Sequence, residues 1–233
     1  MPVFSIACRL CPRLARHLDR VRTGYPAYYA LPVPSFGVRR PQLLIVGLAP
    51  GLHGANRTGR PFTGDAAGIL LYETLHRFGL ADRARSAEAS DGLQLRYCRV
   101  TNAVKCLPPE NKPTPAEIRR CNPYLGDEIA ALADGAAILA LGVVAHGAVL
   151  MALGIRRSAC VFRHGARHEL PRGLVLYDSY HCSRYNTQTG RLTPQMFRSV
   201  FAAIVEHLSS DIRAEHRAVS RKRRVTRPTA GGR

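Results

Sequence analysis

Short apolar runs alternate along the chain with longer stretches in which apolar residues recur every three or four positions. The short runs predict buried strands at residues 43–46, 95–101, 136–141 and 174–177. The longer stretches predict helices at residues 12–22, 66–78, 142–153 and 194–208, and a capping box starts another helix after Thr114. Strands that alternate with helices favour a parallel sheet covered on both faces. We therefore predict an α/β fold of three layers, α/β/α, with a central four-stranded parallel sheet.

A glycine-rich loop, GLAPGLHGANRTGRPFTGD at residues 47–65, follows the first predicted strand. Open α/β sheets bind ligands at the carboxyl ends of their central strands, which is where this loop begins. The loop contains neither G-x-x-x-x-G-K-[ST] nor G-x-G-x-x-G, so it lacks the two common nucleotide-binding fingerprints. It is therefore a candidate ligand-binding loop of another kind.

Four side chains of this loop are candidates for chemistry. Arg57 and Arg60 carry positive charge, Phe62 offers a flat stacking face, and Asp65 offers a carboxylate at the expected start of a helix. Simpler interpretations exist for two of them. Asp65 can be only a helix N-cap, because Asp is a favoured capping residue, and Phe62 can be a core residue.

Polar side chains also follow the second and fourth predicted strands. Asn102 lies in the segment TNAVKC at 101–106, and His181 lies in DSYHCS at 178–183. Parallel strands end at the same edge of a sheet, so these segments and the glycine-rich loop are expected to meet in one cleft. The alternative for His181 is an ordinary histidine of a surface loop.

Length and charge suggest one domain and a polyanionic partner. The chain has 233 residues and a net charge of +18, and most of its basic residues are arginine. We expect residues 1–212 to form one domain and residues 213–233 to form a basic, disordered tail. Such a charge favours nucleic acid, although an anionic membrane surface or an acidic protein would also fit. The tail can instead be a solvated segment that keeps the protein soluble.

The sequence shows no apolar run long enough to span a membrane and no signal-peptide pattern at its start. We therefore expect a cytoplasmic protein with no membrane partner. We also expect it to act as a monomer. Seven cysteines in a cytoplasmic protein are expected to be metal ligands or free thiols rather than disulfides.

Four of the cysteines form a candidate ligand set. Cys8 and Cys11 make a C-x-x-C pair, and Cys106 and Cys121 are separated by fourteen residues. Zinc often takes two tight pairs, and only one is present here. Distant cysteines also suit a [4Fe–4S] cluster. A redox motif of the thioredoxin type would follow a strand, which is absent before Cys8.

These motifs together resemble the type B, or family 5, iron–sulfur uracil-DNA glycosylases. The resemblance covers nearly the whole chain before the tail, and each motif alone is weak. Its carriers are the C-x-x-C pair, the glycine-rich loop, TNAVKC at 101–106, Cys121 and HCSRYN at 181–186. It implies that a structural [4Fe–4S] cluster is held by Cys8, Cys11, Cys106 and Cys121.

The sequence departs from the wider superfamily in two respects. Leu48 and Ala49 occupy the G-x-x-P loop, where many members have an acidic residue. Their presence agrees with type B and argues against family 4, which has Glu there. Cys182 stands where many relatives have Pro after the histidine. The best remaining carboxylate is Asp65.

The resemblance implies hydrolysis of the bond between a base and C1′ of deoxyribose. We expect Asp65 to stabilise the sugar cation and orient water, and His181 to donate to the base carbonyl. Asn102 has both a donor and an acceptor with which to read the base edge. Phe62 would stack on the flipped base. The remaining assignments are Gly47 and Ala49 to base binding, and Arg57, Arg60 and Arg184 to DNA binding.

The predicted function is that of a DNA glycosylase. It would hydrolyse the N-glycosidic bond of uracil and other deaminated bases in DNA and so initiate base excision repair. One alternative is a non-catalytic iron–sulfur protein that binds nucleic acid. Another is a redox enzyme that uses the cluster for electron transfer, which would need a second cofactor site that the sequence does not show.

Overall fold

The computed structural model of the protein describes residues 4–208. The predicted basic tail, residues 213–233, lies outside the described residues, as do residues 209–212 of the predicted domain. Within the described part, no helix is both long and apolar enough to cross a membrane.

A six-stranded sheet forms the middle of the molecule, in the order β1-β3-β2-β4-β6-β5. The strands are β1 Phe36–Gly37, β2 Leu43–Gly47, β3 Cys98–Asn102, β4 Ala137–Leu141, β5 Arg167–Glu169 and β6 Val175–Ser179. The four inner strands, β3, β2, β4 and β6, are parallel. The two short edge strands, β1 and β5, run antiparallel to their neighbours.

The helices lie between the strands in sequence. They are α1 Pro12–Gly24, α2 Ala55–Thr58, α3 Ala66–Arg77, α4 Pro115–Ala130, α5 Val143–Ala152, α6 Arg184–Gln188 and α7 at residues 194–208. Single 3₁₀ turns occur at Pro109–Asn111 and Pro171–Gly173. The capping box that starts α4 is formed, because Thr114 and Glu117 bond to each other's backbone N–H groups.

The predicted architecture is confirmed. Alternate strand residues face opposite sides, so Ile45 and Leu139 join the core beneath α3 and α7, whereas Leu44 and Ile138 join the core beneath α4 and α5. The four predicted strands are the four parallel ones. The edge strands were not predicted, because two or three residues are too few to show an alternating pattern.

The strand register brings the predicted site segments together. Gly47 is paired with Asn102 at the ends of β2 and β3, and Leu141 is paired with Ser179 at the ends of β4 and β6. All four parallel strands therefore end at one edge of the sheet, where the glycine-rich loop and the loop after Ser179 leave it. This is the edge at which doubly wound sheets bind ligands.

Candidate active site

Gly47 allows Phe62 and Asn102 to approach the end of β2. A Cβ atom at Gly47 would lie 2.6 Å from Phe62 Cζ and closer still to Asn102 Oδ1. Asn102 is buried, with 3% of its surface exposed, and its Oδ1 has no hydrogen-bond partner among the described residues. A buried acceptor without a partner is costly unless a ligand or water satisfies it. Asn102 is therefore placed to read a polar edge.

Asp65 uses its two carboxylate oxygens differently. It is the N-cap of α3, and Oδ1 accepts a hydrogen bond of 2.9 Å from the backbone N–H of Gly68. Oδ2 faces Gly51 and Gly54, where a Cβ at Gly54 would overlap it. Oδ2 makes no hydrogen bond with any described residue. The capping role is thus present, and it leaves one oxygen available.

His181 lies in the loop after β6 and faces Phe62. The two rings are near parallel, with centroids 5.8 Å apart and planes inclined by 28°. The side chain of Asn186 donates to the backbone carbonyl of His181 at 2.8 Å, which holds the loop. Burial lowers the pKa of His181, and the nearby Asp65 carboxylate offsets only part of this effect. The imidazole is therefore neutral at pH 7, with one N–H to donate.

Arg60 does not fit its predicted DNA-binding role. Its side chain is 4% exposed and forms an ion pair of 2.7 Å with Asp91. Its Nε donates to Thr63 Oγ1 at 3.1 Å, and its guanidinium lies 4.7 Å above the ring centroid of Phe36. A guanidinium enclosed in this way is not available to a phosphate. Arg60 instead fixes the glycine-rich loop to the segment that carries Asp91.

Arg57 and Arg184 remain accessible. Arg57 is half-buried, donates from Nε to the carbonyl of His53 at 2.8 Å, and lines an open groove together with Tyr28 and Glu88. Arg184 is exposed at the first position of α6, and its neighbour Tyr185 is 70% exposed. Both arginines are therefore accessible from outside the protein.

Ala49 lies in the loop that follows β2. It is half-buried and packs on the third core cluster, which contains Leu14 and Leu18 of α1. The carbonyls of Gly47 and Leu48 accept hydrogen bonds of 2.9 and 3.0 Å from the N–H groups of residues 103 and 104. This ladder joins the predicted base-binding residues to the segment that leads to Cys106.

The four predicted cysteine ligands converge. Cys8, Cys11, Cys106 and Cys121 line one cavity beside α1 and α4, and Tyr124 lines it with them. Cys121 Sγ accepts a hydrogen bond of 3.3 Å from the backbone N–H of Lys105, and Cys8 Sγ lies 3.6 Å from Tyr124 Oη. Burial raises the pKa of Cys121 to about 11 and also raises that of Cys106. Without a cation, these thiols stay protonated.

The four cysteines do not form a compact group of ligand atoms in the structure. Within residues 4–208, one trio alone, His146, His168 and Asp178, has all its ligand atoms within 4.8 Å of one another. No three of the cysteine sulfurs meet that limit. Tetrahedral zinc with bonds of about 2.3 Å would hold its sulfurs about 3.8 Å apart. Four cysteines that line one cavity are compatible with an iron–sulfur cluster.

Several structural contacts of the site gave no signal in sequence. Asp91 lies in the connection between α3 and β3, and it pairs with the buried Arg60. Thr63 Oγ1 lies 2.6 Å from Ser86 Oγ in the same segment. No periodicity or motif marks these partners, because they are distant in sequence and each pairs through a single contact.

The fold and the site define a class. A doubly wound sheet carries a carboxylate, a buried amide, an aromatic ring and a neutral histidine at the ends of its strands, with a separate cysteine cavity. The family model described as "Uracil DNA glycosylase superfamily" matches residues 34–205, and the chain belongs to that superfamily.

Three curated relatives lie in one branch of it. The chain is 50% identical over 200 residues to a type-5 uracil-DNA glycosylase of Thermus thermophilus, covering 83% of this chain and 90% of the relative. It is 45% identical over 202 residues to one of Mycobacterium tuberculosis, covering 83% and 75%. It is 40% identical over 199 residues to one of Pyrobaculum aerophilum, covering 84% and 86%. The resemblance to family 5 that the motifs indicated is confirmed.

Proposed function

We propose that this protein is a DNA glycosylase that hydrolyses the N-glycosidic bond of uracil in DNA and so initiates base excision repair. The observation that carries the proposal is the arrangement around Phe62. Asn102 lies at one side of this ring and His181 at another. Asp65, in turn, lies close enough to affect the titration of His181. A base reader, a proton donor and a carboxylate thus surround one aromatic surface.

Asp65 Oδ2 would stabilise the sugar. Glycosidic hydrolysis passes through a transition state that resembles an oxocarbenium ion, with positive charge on the sugar. A carboxylate fixed by a helix N-cap needs no reorganisation to meet that charge. The same oxygen can orient the attacking water, since its partner Oδ1 already accepts from Gly68.

His181 would stabilise the departing base. Negative charge develops on the carbonyl oxygen of the leaving base, and a preorganised donor lowers the barrier there. Because burial keeps the imidazole neutral, one ring N–H can donate without charging the pocket. The amide of Asn102 would hold the base edge by offering a donor and an acceptor.

The proposed substrate range extends beyond uracil to other deaminated bases. Leu48 and Ala49 place no bulky polar residue in the G-x-x-P loop, so none crowds the site there. We expect measurable release of hypoxanthine from DNA. Activity confined to uracil, with none on hypoxanthine or on 5-substituted uracils, would contradict this part of the proposal.

We further propose that Cys8, Cys11, Cys106 and Cys121 hold a [4Fe–4S] cluster. When bound, the cluster would cross-link the start of α1, α4 and the segment after β3. It would not take part in the reaction. The protein should contain about four irons per chain when purified without oxygen. Cys106→Ser should reduce the iron content and the melting temperature. Cys98→Ser, which changes a buried cysteine outside the cavity, should leave the iron unchanged, and stoichiometric zinc without iron would contradict the proposal.

The proposed partner is DNA that contains uracil or another deaminated base, contacted through Arg57 and Arg184. A monomeric, cytoplasmic enzyme remains our prediction. Incubation with a uracil-containing duplex, followed by hot alkali, should cut the strand at the uracil position. The same duplex with thymine in place of uracil is the control. Tight binding without strand cleavage would support the alternative of a non-catalytic DNA-binding protein.

A further inference from the structure

A buried cluster of two histidines and one aspartate lies behind the loop that carries His181. Asp178 of β6 is fully buried and contacts one histidine through each carboxylate oxygen. His146 Nδ1 is 2.8 Å from Asp178 Oδ1, and His168 Nε2 is 3.1 Å from Oδ2. The glycosylase chemistry proposed above uses none of these three residues.

The contacts of His146 require a hydrogen on Nε2 and a proton between Nδ1 and Asp178. Its Nε2 lies 2.9 Å from the carbonyl oxygen of Cys160, and a carbonyl oxygen can only accept, so Nε2 carries a hydrogen. A neutral imidazole has one N–H, which would leave the lone pair of Nδ1 facing Asp178 Oδ1 at 2.8 Å. A proton shared between Nδ1 and Oδ1 removes this repulsion. With this proton on Nδ1, the pair is an imidazolium beside a carboxylate.

A divalent cation is the competing explanation, because the ligand atoms of the cluster all lie within 4.8 Å of one another. One carboxylate, two neutral imidazoles and a divalent cation would carry one net positive charge. The positive charge of the exposed Arg157 near His146 is the same in both cases. An uncompensated buried charge is costly, whereas a single proton leaves the cluster neutral. The charge balance therefore favours the proton.

The His146–Asp178 pair holds the start of α5, which lies directly behind His181. Gly142, the N-cap of α5, donates from its N–H to the carbonyl of Ser179 at 2.8 Å. A Cβ at Gly142 would lie 3.7 Å from His181 Cβ, so the start of α5 directly backs His181. His146 lies one turn further along α5 and donates from its N–H to the Gly142 carbonyl. Its bond to Asp178 therefore fixes this turn against β6.

The same histidine also holds the loop on the other side of His181. Its bond to the Cys160 carbonyl anchors the segment that contains His164. His164 Nδ1 accepts from the backbone N–H of Tyr180 at 3.2 Å, and the two rings stack with centroids 5.1 Å apart. Tyr180 directly precedes His181. His146 thus contacts both elements that adjoin the catalytic loop, the start of α5 and the segment that contains His164, while Asn186 holds the His181 carbonyl.

We propose that His146 and Asp178 are positioning residues for His181, and that the proton between them keeps the loop in its active geometry. This inference rests on the proposed glycosylase function for its effect on rate. The protonation of the pair itself can be measured without DNA.

The proposal predicts a dependence on alkaline pH. The groups that face His146 are Asp178 of β6, His168 of β5, and Arg157 and Cys160 of the segment after α5. Burial and Arg157 oppose a charge on His146, but the bond to Asp178 and its negative charge outweigh them and raise the pKa of His146. The support is therefore complete below that pKa and is lost as pH rises through it.

The test compares His146→Gln with wild type and with His76→Gln, a change on the exposed side of α3. The amide nitrogen of Gln corresponds to Nε2 of His146, so it can still donate to the Cys160 carbonyl, whereas the bond to Asp178 and the titrating proton are lost. Single-turnover rates on a uracil duplex are measured from about pH 6 to about pH 10, and NMR of the imidazole carbons follows His146 in the absence of DNA. A displacement of about 1 Å can cost about a hundredfold in rate, so His146→Gln should be about ten- to a hundredfold slower at pH 7.

Wild type and His76→Gln should lose rate at alkaline pH with the midpoint that NMR gives for His146, and His146→Gln should lack this limb. DNA affinity should not change. A neutral His146 at pH 7, or an unchanged rate in His146→Gln, would overturn the proposal, as would one zinc per chain that is lost in His168→Gln. If wild type proves inactive on every substrate, the proposed function fails, while the NMR titration still decides whether the proton is there. If His146→Gln does not fold, two wild-type measurements still test the proposal. They are the NMR titration of His146 and the loss of rate at alkaline pH.

Discussion

The rings of Phe62 and His181 lie nearly parallel, with centroids 5.8 Å apart. Carbon atoms in direct face contact sit about 3.5–4.0 Å apart, so these rings do not stack directly face to face. A base lying flat on Phe62 would be almost parallel to the imidazole. A ring N–H of His181 can then point at a carbonyl oxygen in the plane of that base. The proposed roles of the two residues are therefore compatible in one arrangement.

Asp65→Asn separates the two roles of Asp65. Asn is as good an N-cap as Asp, so the melting temperature should change little, while the negative charge is lost. Loss of one preorganised electrostatic group costs about a hundredfold or more in rate. We expect a loss of this size in single-turnover cleavage of a uracil duplex.

A matched variant measures the cap alone. Thr114→Ala removes the cap of α4, which should lower the free energy of unfolding by about 1 kcal/mol without changing the rate. Asp65→Ala should show both effects together. If Asp65→Asn cleaves at the wild-type rate, Asp65 is a cap and not a catalytic residue.

Gly47→Ala should damage the base pocket. The added Cβ would lie within 2.6 Å of Phe62 and closer to Asn102, so one of these side chains must move. We expect a slower rate and a changed ratio of uracil to hypoxanthine release. Gly126→Ala is the control, because its Cβ meets nothing within 4 Å in α4 and should stabilise the helix by about 0.5–1 kcal/mol. Equal activity of the two variants would contradict the pocket described here.

His181 should make the protein less stable in acid. Its pKa is lowered by burial, whereas in the unfolded chain it is about 6.5. Between these values the unfolded state binds more protons, so the free energy of unfolding falls as pH falls below about 6.5. Urea unfolding of His181→Gln between about pH 5 and about pH 7 should show a shallower decline than wild type. His146→Gln should instead reduce the loss of stability that accompanies a rise in pH, since the pKa of His146 is raised. This effect appears at higher pH than that of His181.

Arg57 and Arg60 should differ in what their loss affects. Arg57→Gln should reduce the slope of log K against log salt by about 0.9 for one lost phosphate contact, with little change in stability. Arg60→Met leaves Asp91 without its partner and should cost about 3 kcal/mol of folding stability, with no change in the salt slope. Salt titrations of DNA binding and urea unfolding measure the two effects. A salt slope reduced in Arg60→Met alone would restore the phosphate role to Arg60.

The sequence determined the parts that depend on local pattern. Strand runs and helical periodicity gave the four parallel strands and the main helices, because each element must present an apolar face to the core. The order of these elements placed Asn102, His181 and the glycine-rich loop at one edge of the sheet. The N-cap position of Asp65 followed from its place before an apolar helical run. The family resemblance followed from motifs that each occupy one such strand end.

The tertiary structure decided which role each of those residues can have. Arg57 and Arg60 are three positions apart in the same loop, yet one is accessible and the other is buried against Asp91. The proton that His146 shares with Asp178 depends on 2.8 Å between residues that lie 32 positions apart. Periodicity shows which face of an element is buried, but it does not show which atoms of two elements meet. Hydrogen bonds and ion pairs form only between atoms that lie close together in space. The packing of the whole chain determines which atoms those are.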